Sequence, residues 1–261
     1  TMARQANKYE LYQQVVQVPE ADCKFFNRVF KKTFQRPAAS LREDFCGTAL
    51  LSATWVKRHP ENTAIGIDLD ESVLNWGRTH NQEPLGDDAG RLTLLCSDVR
   101  EVAEPKADVI AALNFSYFIF KKRHDLLEYF RASRLALNDG GIFVLDIFGG
   151  WESQMEKREK TRNEGFTYTW EQKRFDPVTN HTRFHIHFTL HKGGSIKKAF
   201  TYDWRMWSIP EIGDVLAEAG FESTRVYWEG VDKKTGEGDG DFRPVDSAKN
   251  WPQWNALIIS S

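Results

Sequence analysis

Long apolar runs are missing from this sequence of 261 residues. No stretch approaches the roughly 18 apolar residues that a membrane-spanning helix needs. The first residues, TMARQANKYELYQQ, also lack the apolar core of a secretory signal peptide. We therefore predict a cytoplasmic protein that does not bind a membrane.

An excess of charge of either sign is also missing. The formal net charge is −2, and the lysines and arginines are interspersed with acidic residues. Nucleic-acid-binding proteins usually carry a basic face, so we do not expect a nucleic-acid partner. The only cysteines, Cys23, Cys46 and Cys96, have unrelated spacings, which favours neither a disulfide framework nor a zinc cluster. We predict no metal site.

Glycine is scarce where a nucleotide-binding turn would need it. In LREDFCGTA, residues 41–49, Gly47 is the only glycine, and Phe45 and Ala49 stand at the positions of the outer glycines of such a loop. The strand before it carries Arg42 and Asp44. The Gly-x-Gly-x-x-Gly fingerprint of dinucleotide-binding proteins is absent.

Helical spacings and apolar runs alternate along most of the chain. They predict two helices in 8–36, further helices over 48–59, 71–81, 121–137 and 208–221, and strands over 40–45, 63–69, 91–98, 107–115, 141–148, 222–230 and 254–261. Gly140 and Gly141 are expected to close the helix predicted over 121–137, as glycine often does at a helix C-terminus. Residues 231–253 read as a long polar loop, which either orders over the site or forms a dimer contact.

Strands that alternate with helices and run as continuous apolar stretches indicate a parallel sheet covered on both faces. Because crossover connections are right-handed, the pattern predicts a doubly wound α/β fold. Residues 166–207 differ: three runs of alternating apolar and polar residues, joined by turn residues, predict an antiparallel meander with one aromatic face. We therefore expect an antiparallel β insertion after the fifth strand.

Four short motifs each follow a predicted strand, at the edge where open α/β sheets bind ligands. They are EDFCGTA (43–49), GIDLD (66–70), CSDVRE (96–101) and ALNFSYF (112–118). In this order, with a closing strand pair, the chain resembles the class I S-adenosylmethionine-dependent methyltransferases over residues 20–261. The resemblance implies a mostly parallel, seven-stranded Rossmann-like sheet and S-adenosylmethionine as cofactor.

The resemblance also implies a division of the chain. Residues 1–37 would form N-terminal helices, 38–150 and 208–261 the cofactor-binding domain, and 151–207 an inserted antiparallel lid over a small-molecule acceptor. The oligomeric state stays open between monomer and homodimer.

In the first motif, Glu43 matches the acidic residue of the family, and Cys46, Gly47 and Thr48 match the centre of its loop. We expect the backbone of these three residues to face the methionine part of the cofactor. Phe45 departs from the family pattern, and we expect its ring to turn aside, to pack or to shape the pocket.

The other motifs supply the remaining cofactor contacts that the resemblance implies. Asp68, with Leu69 after it, would bind the ribose hydroxyls, unless it is a helix N-cap, for which Asp70 is better placed. Asp98 would receive the adenine amino group and Val99 would pack on the ring; the alternative is a solvent-facing turn acid. Asn114 and Phe115 would lie around the sulfonium and acceptor, or belong to the core.

The aromatic face of the insertion is the predicted acceptor surface. We single out five acceptor-side candidates there, although packing of the insertion on the core explains the aromatic ones equally well: Tyr168, Trp170, Tyr202, Trp204 and Arg205. No catalytic triad is evident, and candidates for a catalytic role are Asn114, Tyr202 and His185. His185 and His187 share a strand face opposite to the apolar residues, which favours an outer face over a metal pair.

Two alternatives to a methyltransferase remain at this point. A nicotinamide-dependent oxidoreductase is disfavoured by the missing glycine fingerprint and by the closing strand pair. A non-catalytic binding protein that keeps the fold is favoured by Phe45 and disfavoured by Asp68, Asp98 and Asn114. Binding of S-adenosylmethionine, its demethylated product or NADH would distinguish the three.

Overall fold

The computed structural model describes residues 7–232 and 238–261. Its α-helices are numbered α1 (Lys8–Val16), α2 (Pro19–Phe34), α3 (Leu50–Lys57), α4 (Glu71–Gly77), α5 (Arg123–Leu135) and α6 (Ile209–Glu218). Its strands are β1 (Ser40–Asp44), β2 (Thr63–Asp68), β3 (Leu92–Cys96), β4 (Ala107–Ala112), β5 (Leu137–Gly149), β6 (Lys157–Arg162), β7 (Phe166–Asp176), β8 (His181–Leu190), β9 (Ser195–Arg205), β10 (Thr224–Val231), β11 (Gly238–Val245) and β12 (Trp254–Ser260). None of the described helices is long and apolar enough to cross a membrane.

The main sheet has the strand order β11-β10-β12-β5-β4-β1-β2-β3. Strands β1 to β5 are parallel to one another, and β12 inserts antiparallel between β5 and β10. One core cluster lies under α2 and α3 and another under α5 and α6, so helices cover both faces. The predicted doubly wound α/β fold with a closing strand pair is confirmed.

The main sheet has eight strands, whereas the sequence predicts seven. The additional strand, β11, pairs antiparallel with β10 at the edge. Its sequence, GDGDFRPV, is polar and mostly exposed, so it carries no apolar alternation by which a strand is recognised. Reading all of 231–253 as loop is therefore wrong for 238–245, and residues 233–237 lie outside the described part of the chain.

The insertion between β5 and α6 is a four-stranded antiparallel sheet in the order β6-β7-β8-β9. The three predicted strands correspond to β7, β8 and β9. Strand β6 was not predicted because its sequence, KREKTR, is polar, with five charged residues, and mostly exposed, so it has no apolar alternation. It joins the sheet by pairing with β7 rather than by burying side chains.

Helix α5 ends before the two glycines that were expected to close it. Its C-cap is Ala136, and β5 begins at Leu137. Gly140, at φ 72°, lies inside β5, where the register against β4 shifts between Ala107 and Val109. These glycines therefore belong to an irregular start of the fifth strand, where a positive φ favours glycine.

A buried ion pair explains the charges in β1. The Arg42 Nε donates to the Asp44 carboxylate at 2.7 Å, and both side chains are fully buried. The guanidinium also donates to the carbonyl oxygens of Val99, at 2.5 Å, and Val102. Asp44 accepts a further bond from the Tyr129 hydroxyl at 2.8 Å. The pair thus ties β1 to the segment after β3 and to α5, because buried charges require such partners.

Candidate active site

The turn after β1 presents its backbone to open space at the carboxyl edge of the sheet. Phe45, Gly47 and Ala49 all have positive φ, between 54° and 56°. The Cys46 N–H donates to the Ile67 carbonyl at 2.9 Å, which fixes the turn to β2. A Cβ placed on Gly47 would meet no atom within 4 Å. The turn is therefore rigidly held and has room for a ligand beside Gly47.

The Phe45 ring packs against the protein. Its centroid lies 5.5 Å from that of Tyr129 and 6.0 Å from that of Phe120. The Arg100 guanidinium stacks on Phe120, 5.3 Å from its ring centre. A left-handed backbone costs a residue other than glycine about 1–3 kcal/mol, and this packing offsets that strain.

Glu43 lies below the turn rather than in the open space. Its carboxylate accepts the backbone N–H of Ser52 at 2.9 Å and the Ser52 hydroxyl at 2.6 Å. Burial raises the pKa of Glu43 to about 7, although both bonds from Ser52 lower it. The structure therefore makes Glu43 an anchor for the start of α3.

Thr48 is held by residues that the sequence did not single out. Its hydroxyl accepts a bond from the Gln13 side-chain amide of α1 at 2.7 Å. Its carbonyl accepts one from the Asn81 amide at 2.8 Å. Beside it, Cys46 is buried, and this burial raises the pKa of its thiol. Helix α1 thus contacts the turn directly.

Asp68 stands at the end of β2 with its carboxylate fixed by the backbone N–H groups of Gly47, Leu69 and Asp70. The Gly47 N–H donates to one oxygen at 2.8 Å, and the Asp70 N–H donates to the other at 2.9 Å. Asp70 is the N-cap of α4, accepting the Ser72 N–H, so Asp68 is not the capping residue. Next to it, the Leu69 side chain is 66% exposed. Asp68 keeps unused acceptor positions beside an exposed apolar side chain.

Asp98 is engaged by its neighbour Arg100. The guanidinium donates to its two oxygens at 3.0 and 2.7 Å, and the Arg100 N–H donates at 2.9 Å. The Arg100 side chain holds the pKa of Asp98 below its usual value. Val99 is buried, and its carbonyl accepts the bond from Arg42.

The turn after β4 contains two consecutive left-handed residues, Asn114 at φ 57° and Phe115 at φ 58°. Both of their N–H groups donate to the Asp146 carboxylate, at 2.7 and 2.8 Å. Burial raises the pKa of Asp146 to about 7, although both bonds lower it. Asp146 was missed in the sequence; the signal was an acid inside the apolar strand GIFVLDIF.

A cavity of about 720 Å³ opens beside this turn. Its walls come from α1, the turn after β4, the inserted sheet and strands β10 to β12. Asn114, Phe115 and four of the predicted acceptor residues, Tyr168, Trp170, Tyr202 and Trp204, line it. Five of the nine tryptophans of the chain lie in its wall, including three that the sequence did not single out: Trp228, Trp251 and Trp254.

Two of the predicted acceptor and catalytic candidates, Arg205 and His185, lie away from the cavity lining. Arg205 stacks on Trp207, 3.7 Å from the ring centre, and donates to Glu211 and to the Lys121 carbonyl. His185 shares a hydrogen bond with the Thr201 hydroxyl at 2.9 Å. Because its neighbours Phe184 and Ile186 face the aromatic side of β8, His185 occupies the opposite face.

The outer face of the inserted sheet is more buried than expected. His185 is only 5% exposed, and burial lowers its pKa. His187, on the same face, is bonded to the Glu171 carboxylate at 2.9 Å. The histidines thus belong to a polar network on the side of the sheet away from the cavity.

Helix α1 connects the turn after β1 with the inserted sheet. Gln13 binds Thr48, and the hydroxyls of Tyr12 and Tyr202 are hydrogen-bonded to each other. Burial raises the pKa of Tyr12 to about 12, so its hydroxyl stays protonated at neutral pH. Helix α1 therefore contacts both the turn after β1 and the inserted sheet.

Solved structures with this architecture exist although the sequences have diverged. An S-adenosylmethionine-dependent methyltransferase from Clostridium acetobutylicum is 17% identical, with a TM-score of 0.68 and 96% of each chain covered. The sugar N-methyltransferase KedS8 from Streptoalloteichus is 18% identical, with a TM-score of 0.64, covering 100% of this chain and 94% of that one.

The amino pentose methyltransferase CalS10 from Micromonospora echinaspora is 18% identical, with a TM-score of 0.66, covering 98% of this chain and 99% of that one. No family model and no curated protein matches the sequence. At these identities the likeness shows the fold alone, which this chain shares with these three methyltransferases.

Proposed function

We propose that this protein transfers a methyl group from S-adenosylmethionine to a small-molecule acceptor. The observation that carries the proposal is that an open turn and an aromatic cavity lie at the same edge of the main sheet. The open turn at Gly47, with Asp68 beside it, lies at the carboxyl ends of β1 and β2. The aromatic cavity begins at the end of β4, two strands away from β2.

The residues at this edge fit the cofactor. Asp68 would accept the ribose hydroxyls at the acceptor positions that its backbone donors leave free, and the exposed Leu69 supplies an apolar surface beside them. The space at Gly47 would take the methionine part against the backbone of Cys46, Gly47 and Thr48. Glu43 and Phe45 would act indirectly, by anchoring α3 and by packing the turn.

At the adenine end, Asp98 would accept the amino group while Arg100 keeps its carboxylate ionised. Val99 would pack on the ring. Asn114 and Phe115 would lie at the junction between cofactor and acceptor because they line the cavity and end β4.

When bound, the cofactor supplies a methyl group that its sulfonium already activates. The protein therefore has to align the acceptor and exclude water, which lowers the barrier by positioning. Held by Asp146, the turn at Asn114 and Phe115 is suited to that task. Within this proposal, residues 38–150 and 208–261 bind the cofactor, 1–37 supply a covering helix, and 151–207 cover the acceptor.

Calorimetric titration tests this function. We expect S-adenosylmethionine and S-adenosylhomocysteine to bind and NADH to give no heat. Asp68→Ala should weaken binding of both cofactor forms at least about tenfold, or ~1.4 kcal/mol. The control Asp70→Ala removes the α4 cap but leaves Asp68, so it should lower stability more than affinity.

Other results of these titrations would favour one of the two alternative functions. Binding of NADH alone would favour the oxidoreductase. Binding of none of the three ligands would contradict the methyltransferase and favour a non-catalytic protein.

A further inference from the structure

Among the described residues, the inserted sheet contributes one carboxylate, Glu159, and one lysine, Lys160, to the cavity lining. In the register of β6 and β7, Glu159 lies opposite Trp170, and Lys160 lies opposite Thr169. Directly opposed residues of antiparallel strands share a face of the sheet. Glu159 therefore stands on the cavity face with Trp170, and Lys160 belongs to the other face, although it borders the cavity.

The cation on that face is shared between two acids. The Lys157 ammonium donates to Glu152 and to Glu159, at 2.8 Å each. The Gln253 amide also donates to Glu159, at 2.7 Å. Burial alone would raise the pKa of Glu159, but the bonds from Lys157 and Gln253 hold it below its usual value. Glu159 is thus ionised at neutral pH. With two carboxylates and one ammonium, the group of Glu152, Glu159 and Lys157 keeps an excess of negative charge.

A second carboxylate of the cavity lining comes from the main sheet. Glu229 of β10 lines the cavity and accepts bonds from the Asn255 amide at 2.9 Å and from the Gly240 N–H at 3.3 Å. Both partners are neutral, and no lysine or arginine within residues 7–232 and 238–261 forms an ion pair with Glu229. Among the described residues, the charged side chains of the cavity lining are therefore Glu159, which Lys157 pairs from outside the lining, Lys160, and Glu229, which has no such pair.

Aromatic side chains line the same cavity. Trp228 and Trp254 line it with their ring centres 4.8 Å apart and their planes tilted, although strand alternation places them on the sheet face opposite to Glu229. On the inserted sheet, Tyr202 and Trp204 stack at 4.4 Å. The negative face of an aromatic ring attracts cations, typically by about 0.5–2 kcal/mol per contact. An anion would meet repulsion from both the carboxylates and the ring faces.

We propose that the acceptor carries a cationic amine, which binds against these tryptophan faces with Glu159 and Glu229 as countercharges. The assignment rests on the proposed function, since it takes this cavity to be the acceptor site of the methyltransferase. It excludes acidic acceptors and makes the two carboxylates the residues that determine specificity.

Three probes of nearly equal shape test the charge preference: benzylammonium, benzyl alcohol and benzoate. Each is titrated calorimetrically at pH 7 into the whole protein, with and without saturating S-adenosylhomocysteine. We expect benzylammonium to bind at least about tenfold more tightly than benzyl alcohol. Benzoate should bind most weakly.

Two variants test whether Glu159 and Glu229 cause the preference for benzylammonium over benzyl alcohol. Glu229→Gln and Glu159→Gln should each reduce the ratio of the two affinities at least about threefold, while affinity for benzyl alcohol stays unchanged. The exposed Glu222→Gln, a control outside the cavity lining, should keep the ratio of the unmodified protein. Thermal melts confirm that the variants fold.

The proposal is overturned if benzyl alcohol binds as well as benzylammonium, if benzoate binds tightest, or if both cavity variants keep the original ratio. The titration of S-adenosylhomocysteine itself is recorded separately. Failure of that ligand to bind contradicts the proposed function, whereas a lost charge preference with that ligand bound contradicts only the cationic acceptor.

Discussion

At the residue scale, Phe45 is the position where this chain departs most from the methyltransferase loop that it resembles. A glycine there would relieve the left-handed backbone strain but would remove the ring contacts with Phe120 and Tyr129. The ring therefore stabilises the turn from the side away from Gly47.

Phe45→Gly should lower stability by about 1–2 kcal/mol, because lost packing outweighs relieved strain. Affinity for S-adenosylhomocysteine should stay within about tenfold of the unmodified protein. Urea unfolding and calorimetry measure the two effects. Complete loss of binding by a folded variant would show that the ring itself contacts the cofactor.

The free energy of unfolding should depend on pH through Glu43, and the sign of this dependence follows from the raised pKa of Glu43. The folded protein retains the proton up to about pH 7, whereas the unfolded chain releases it near pH 4. The contribution of this group is therefore fully present below pH 4 and is lost as the pH rises to about 7.

Glu43→Gln should flatten that dependence. The stability of the unmodified protein relative to the variant should fall by about 3 kcal/mol between pH 4 and pH 8. Urea unfolding of both proteins across this range measures the difference. A constant difference would show that Glu43 is ionised throughout and that its bonds to Ser52 outweigh burial.

At the scale of elements, α1 connects the two halves of the site. Its apolar spacing predicted a helix, but spacing does not reveal that Gln13 reaches Thr48 or that Tyr12 meets Tyr202. Such contacts depend on how separate elements pack, which the local pattern of one helix does not contain.

Gln13→Ala should weaken binding of S-adenosylhomocysteine about three- to tenfold by releasing the Thr48 hydroxyl, since a single hydrogen bond contributes about 0.5–1.5 kcal/mol. The neighbouring Gln14 is exposed, so Gln14→Ala is the matched control and should leave affinity unchanged. Equal affinities in the two variants, measured by calorimetry, would contradict a role for α1 in cofactor binding.

Strands were predictable where side chains are buried and were missed where only the backbone pairs. The apolar strands β2, β4 and β5 carry an unmistakable pattern. Strands β6 and β11 are charged or polar and lie at sheet edges, so the hydrophobic pattern from which strands are predicted is absent. These two strands nevertheless contribute Glu159 and Gly238 to the cavity wall.

At the scale of the whole molecule, the order of strands and helices sufficed to predict the fold. The positions of candidate residues at strand ends also followed from the sequence, because parallel strands end at a common edge. The sequence did not predict the roles of Asp146, Arg100 and the tryptophans of β10 to β12. Their roles arise from contacts between segments far apart in the chain, such as Asp146 with Asn114.

At this scale we expect cofactor and acceptor to meet at the turn of Asn114 and Phe115. A crystal structure with S-adenosylhomocysteine bound tests it most directly. We predict the ribose at Asp68, the amino-acid part over Gly47, and the sulfur facing the aromatic cavity beside Asn114. A ligand bound elsewhere, or a sulfur that faces away from the cavity, would contradict the account.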